Sequence, residues 1–234
     1  MKSGSLKALV IGIVTLCCSV LYGQGSGLGY ILDLGGSNYS QPSADYSQSI
    51  RTIIHNGFLR FHNDDGSVAL QLMYGYRIDT VSFENYTRYK TADGILTNYT
   101  TDAMLKRTAW RLAAVNQIQF GRPGRKVFSL NVGAFYERTL NVKRFGRHDD
   151  IRYTLNNELN LHNFGIMMGA EVRFYCFTFG ARFEKLFFDV IDHDYVKSQP
   201  LGTGYSSELR GLKMNPGMGF IYLGVNLDFF SYKD

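Results

Sequence analysis

From Phe220 to Phe230 the chain reads FIYLGVNLDFF, and its side chains alternate. Ile221, Leu223, Val225, Leu227 and Phe229 are apolar; Tyr222, Gly224, Asn226 and Asp228 stand between them. Successive side chains of a strand point to opposite faces, so one face is apolar and the other small, polar or charged. The pattern recurs. Leu28, Tyr30, Leu32 and Leu34 oppose Gly29, Asp33 and Gly35; Ile53, Leu59 and Phe61 oppose Asn56 and Arg60, with His55 interrupting the apolar face. Val68, Leu70, Leu72, Tyr74, Tyr76 and Ile78 oppose Gln71, Gly75, Arg77 and Asp79. Trp110, Leu112, Ala114, Ile118 and Phe120 oppose Arg111, Gln117 and Gln119, with Asn116 on the apolar side. Phe128 to Tyr136, Phe164 to Phe174 and Phe177 to Phe183 repeat the alternation, setting Glu137, then Glu171 and Arg173, then Arg182 and Glu184 on the polar face.

Eight strands result, and their connections alternate in length. NDDG at 63–66, RPGRK at 122–126 and the junction at 173–175 are short, the first a strong tight-turn signal. The four other connections are long, including polar stretches at about 84–102, 141–160 and 189–211. The expected fold is all-β: an eight-stranded antiparallel up-and-down transmembrane β-barrel with short periplasmic turns and long external loops. A soluble ligand-binding barrel would reverse the faces, with apolar side chains inside and charge outside.

The N-terminus adds an export signal. Lys2 and Lys7 precede an apolar run from Ala8 to Leu21 that ends in Gly23-Gln24-Gly25. The expectation is a signal peptide over 1–23, cleaved, and a single barrel domain over 24–234. Cys17 and Cys18 lack the small preceding residue of a lipidation site. Cys176 is then the one cysteine left, which excludes an intramolecular disulfide. No later stretch has the ~18 apolar residues of a membrane helix. Aromatic residues make up 15% of the chain, which suits rings at lipid–water boundaries. The net charge of +5, about two units lower after cleavage, does not point to nucleic acid.

Projected onto strands, the inner face carries Asp33, Asp79, Glu137, Glu171, Glu184 and Asp228 with Arg60, Arg77, Arg111, Arg173 and Arg182. Buried charges must pair, and an eight-stranded bore is just wide enough to be filled by side chains. The expected interior is a plug of salt bridges, not an open pore. A gated ion path is the alternative reading of the same groups.

The whole mature chain resembles the small outer-membrane barrels of the Bacteroidota, the PorT-like family. The resemblance rests on strand number, loop alternation, cleavage before Gln24 and the final strand. Within it, Gly224, Leu227 and Phe229 have the spacing of an assembly signal, which implies the barrel-assembly machinery as a partner during insertion. Ser231 to Asp234 depart from the pattern by continuing past the last aromatic. Such families include structural barrels, adhesins and secretion-system components.

Candidate chemistry is sparse. His148 with Asp149 and Asp150, His162, and His193 with Asp192 and Asp194 are the groups a lipid-modifying enzyme would use, but no His–Ser pairing sits at a strand end. No metal-ligand spacing is present, and no cofactor is expected. Arg138, Lys143, Arg144, Arg147 and Arg152 make one outer loop basic, and Lys106, Arg107 and Lys185 are expected near the same rim. These are candidate contacts to lipopolysaccharide phosphates, through charge-assisted hydrogen bonds. The expected function is non-enzymatic: a structural or partner-docking barrel in outer-membrane lipid. The alternatives are a component of an outer-membrane secretion or assembly complex, or a lipid-modifying enzyme.

Overall fold

The structure is a computed structural model. It describes residues 25–40, 47–63, 66–92, 95–121, 126–145, 150–151, 158–199, 214 and 217–228. Residues 1–23, where a signal peptide is expected, the apex of each long connection and Phe229 lie outside them. The alternating segments form β1 (Gly25–Ser40), β2 (Ser47–His62), β3 (Val68–Ala92), β4 (Ile95–Gly121), β5 (Lys126–Phe145), β7 (His162–Phe174), β8 (Phe177–Leu186) and β9 (Met218–Asp228). A two-residue β6 (Asp150–Ile151) pairs with the end of β5, and α1 (His193–Ser198) follows β8.

Each long strand pairs antiparallel with the next, and β1 pairs with β9, so eight strands close on themselves. Closure removes the free edges that an open sheet would leave in lipid. Leu28, Leu59, Leu72, Leu112, Val132, Ile166, Phe179 and Leu223 point outward, all about two-fifths or more exposed. In water such a surface is untenable; in a bilayer it is the wall. Trp110 and Phe120 on β4 are ten residues apart, as are Phe164 and Phe174 on β7. At a rise of ~3.3 Å and a tilt of ~40°, these aromatic boundaries bracket about 25 Å, the height of a hydrocarbon band.

At the turn end, Asn63 holds a tight turn: its amide donates to the Val68 carbonyl at 3.0 Å and its side chain accepts from the Val68 amide at 3.0 Å. Gly66 takes φ 71°, which a Cβ would oppose. Tyr175 and Cys176 alone join β7 to β8, Tyr175 at φ 53°. Cys176 therefore belongs to a turn, and its carbonyl accepts from the Asn226 amide at 2.7 Å.

The loop end differs from expectation. The polar stretch at 84–102 is mostly strand: β3 and β4 run on together, paired from Tyr86↔Thr101 to Ala92↔Ile95. The apolar alternation disappears there, although the backbone pairing continues. β5 likewise reaches Phe145, inside the expected 141–160 loop. A bulge at Leu140 rephases it, since Thr108 pairs with Asn141 and Ala109 with Thr139. One extra residue switches the face of every side chain that follows. Val142 consequently turns in and Lys143 out.

The interior is not wholly polar. Ile31, Ile54, Phe58, Met73, Val115, Phe135 and Met167 point inward and are buried. The ring-bearing positions are accommodated by glycine. Phe58, Phe135, Phe220 and Tyr222 each stand directly across from one, namely Gly29, Gly165, Gly35 and Gly180. A Cβ on any of these four would sit well inside contact distance of the facing ring.

Candidate functional site: the lumen and its outer rim

Two ionic clusters fill the bore. The larger holds four guanidiniums and four carboxylates. Arg77 donates through Nε to Asp79 Oδ1 at 2.8 Å and through Nη1 to Glu137 Oε1 at 3.0 Å. Arg107 bridges the other oxygens of the same acids, at 2.8 Å to Asp79 and 3.0 Å to Glu137. Arg111 grips Glu184 with both terminal nitrogens, at 3.1 and 3.0 Å, and stacks 4.4 Å over Phe135. Arg182 lies 2.8 Å from both Asp33 and Glu184. Thr52 donates to Asp79 and Asn56 to Asp33, at 2.6 and 2.8 Å. Charge is balanced within the cluster, as burial requires.

The smaller cluster lies toward the turn end, around Glu171. This carboxylate receives Arg60 at 3.2 Å, Gln117 at 3.1 Å, Asn131 at 3.2 Å and the Tyr222 hydroxyl at 3.0 Å, with Arg173 at 3.6 Å. Gln71 accepts from both Arg60 and Gln117. Asp228 pairs by backbone with Gly27, itself the partner of Arg60, so its register position fits the inner face; its side chain is outside the described residues. Beside this cluster a cavity of about 20 Å³, lined by Gln71, Asn131, Glu171, Arg182 and Tyr222, has room for one water molecule.

The loop end is capped. Val190, Ile191, Val196 and Met214, with Leu159 before β7, continue the apolar cluster formed by inward Ile50, Val81, Leu105 and Val142. Asp189 fixes this cap: its Oδ1 accepts from the amides of Ile191 and Met214 at 3.1 and 3.0 Å, and Oδ2 lies 3.1 Å from His193 Nε2. Met218 Sδ closes the cap onto the charges, accepting from Arg77 Nη2 at 2.9 Å.

Of the lumen residues expected from sequence, Asp33, Arg60, Arg77, Asp79, Arg111, Glu137, Glu171, Arg173, Arg182 and Glu184 are all buried inside. Arg107 corrects the reading: it is 1% exposed and belongs to the lumen, not to the rim. Its parity with Arg111, four residues on, carries that signal. Gln71, Gln117, Asn131 and Tyr222 also belong to the network. Of the residues with the spacing expected of an assembly signal, Gly224 faces inward and Leu227 faces outward.

At the rim, Arg138 is exposed between Trp110 and His162, its register partners. Lys143 lies on the outer face opposite Lys106. The side chains of Arg144, Arg147, Arg152, His148, Asp149 and Asp150 lie outside the described residues. His162 hydrogen-bonds the Tyr136 hydroxyl at 2.6 Å, and His55 pairs with the Tyr30 hydroxyl on the outer wall. His193 meets Asp189, a loop anchor, and no nucleophile among the described residues. No group of three His, Cys, Asp or Glu residues converges as a metal site among the described residues.

A closed eight-stranded barrel, apolar outside and ionic within, defines the class of small membrane-spanning β-barrels. No protein-family model matches the sequence, and no curated protein matches it. Solved structures with a similar fold are outer-membrane barrels. Neisserial surface protein A is 12% identical, with a TM-score of 0.39 over 86% of this chain and 96% of that one. The N-terminal barrel domain of Pseudomonas aeruginosa OprF is 14% identical, at 0.35 over 87% and 100%. The attachment invasion locus protein Ail of Yersinia pestis, solved with a heparin analogue, is 12% identical, at 0.34 over 87% and 97%. The barrel assignment itself rests on the strand register and the apolar wall.

Proposed function

We propose that this protein is an integral outer-membrane barrel that works by docking, not by turnover or conduction. By the rule that short turns are periplasmic, the loop end faces outward. The observation that carries the reading is the contrast between the two ends of the bore. The inside is filled by paired charge and capped by the segment around Asp189, while β3 and β4 continue past the wall as a paired ribbon. β2 ends opposite Glu84 and β5 opposite Met104, so both long edges of that ribbon lack a neighbour among the described residues. Unpaired edges accept an added strand from a partner.

The test begins with heat modifiability in the outer-membrane fraction, read as gel mobility before and after boiling. A version with residues 86–101 replaced by a short Gly-Ser turn should keep the faster unboiled band and lose crosslinked partners from intact cells. Steady conductance of the intact protein in planar bilayers would refute the sealed-scaffold reading. Loss of secreted cargo in the shortened version would place the docking within a secretion or assembly complex.

A further inference from the structure

The outer wall carries a row of cations that the docking ribbon does not explain. Arg51 pairs with Thr80, Thr80 with Lys106, and Lys106 with Lys143, across β2, β3, β4 and β5. Arg51 and Lys106 are exposed and Lys143 is half-buried. Lys106 and Lys143 are direct cross-strand neighbours, where like charges destabilise a sheet. None of the three forms an ion pair with a carboxylate among the described residues. The arrangement depends on the bulge at Leu140: in the phase of the lower part of β5, Lys143 would point into the bore. The fold thus brings a repelling cation outward, into a position that an external anion would relieve.

The surroundings say which anion. On the bore-wall side of the row stand Ile53, Ile78 and Tyr76, and Trp110 lies four residues along β4 from Lys106. Arg138 is the register partner of Trp110. Cations therefore border an apolar, aromatic surface that faces acyl chains. We infer that Arg51, Lys106 and Lys143, flanked by Arg138, bind the phosphate groups of a phosphorylated outer-leaflet glycolipid whose chains lie along the wall below. Phosphate oxygens between paired lysines make charge-assisted hydrogen bonds and remove the repulsion. This inference rests on the outward orientation of the loop end.

Trp110 is the single tryptophan, so its emission reports on this face alone. Folded protein in detergent micelles is titrated with bisphosphorylated lipid A, with enzymatically dephosphorylated lipid A, and with inorganic phosphate. Binding should saturate with the first, weaken about tenfold or more with the second, and need far higher concentrations of the third. Lys106→Glu should lose binding about tenfold while leaving the lipid-free barrel as stable as before or more so, because Glu opposite Lys143 is a favourable pair. Arg51→Gln serves as the second variant. Equal binding of the dephosphorylated lipid, unchanged binding by Lys106→Glu, or no binding at all overturns the inference. Inorganic phosphate competing as well as the lipid would also overturn it, in favour of a free-anion site. Heat modifiability, read in the same samples, reports separately on whether the barrel reading holds.

Discussion

Glu184→Gln removes one charge from the middle of the lumen without changing shape. In the native barrel this carboxylate is 2% exposed and meets Arg111 at 3.0 and 3.1 Å, Arg182 at 2.8 Å and Arg77 at 3.5 Å. At ~3 Å and an effective dielectric near 20, one such pair is worth roughly 5 kcal/mol before desolvation is subtracted. Gln keeps a single acceptor and leaves four guanidiniums facing three carboxylates. Breaking a buried pair from one side costs about 3–5 kcal/mol, and that loss is expected in urea unfolding of the reconstituted barrel, followed by the fraction of heat-modifiable band. The double variant Arg111→Met with Glu184→Gln restores three against three. It should recover at least ~2 kcal/mol relative to the single variant, a coupling read from the cycle with Arg111→Met alone. A loss below ~1 kcal/mol for Glu184→Gln, with no coupling, would refute the sealed ionic core, since it would mean that bulk water already solvates these groups.

Gly165→Ala should cost about 1–3 kcal/mol by driving the Phe135 ring and the Lys185 carbonyl apart, and Phe135→Leu in the same chain should return part of it in urea unfolding. Leu223→Arg places a charge on the lipid face at mid-wall, and the folded fraction in the outer membrane should fall in line with a cost of about 2–4 kcal/mol; normal assembly would reverse the assignment of inside and outside. Asp189→Ala frees the amides of Ile191 and Met214, so hydrogen exchange over 187–199 should quicken while the barrel remains heat-modifiable; unchanged protection would show that the cap does not depend on this anchor.

The wall was legible because lipid enforces a strict outer face: Leu223, Phe179 and Leu112 cannot be polar where they stand. The inner face obeys a looser rule, needing only filled space and paired charge. Ile54 and Phe58 therefore interrupt a polar series without a warning in the pattern. Beyond the aromatic boundary the sequence of β3 and β4 loses its apolar alternation, so a Thr-, Tyr- and Asn-rich ribbon is indistinguishable from a loop by alternation alone. Arg107 lies past that stretch, and only its parity with Arg111 separates it from its exposed neighbour Lys106. The bulge at Leu140 leaves no mark in composition; its only trace is a change of parity that needs the partner strand to reveal it.

The division of lumen charge between the two halves of the chain bears on how the barrel is made. Strands β1 to β4 bring Asp33 and Asp79 with Arg60, Arg77, Arg107 and Arg111, an excess of cations. Strands β5 to β8 bring Glu137, Glu171 and Glu184 with Arg173 and Arg182, an excess of anions. The contacts Arg60–Glu171, Arg111–Glu184 and Asp33–Arg182 all join one half to the other. A half-built sheet thus carries uncompensated charge: Arg77 and Arg107 can meet Glu137 across the adjacent β4–β5 pair, but the three contacts above need β1 to meet β9. Closing the ring and silencing the charge become one event, which makes the nascent barrel all-or-none: a partly inserted chain has no electrostatically quiet place to stop.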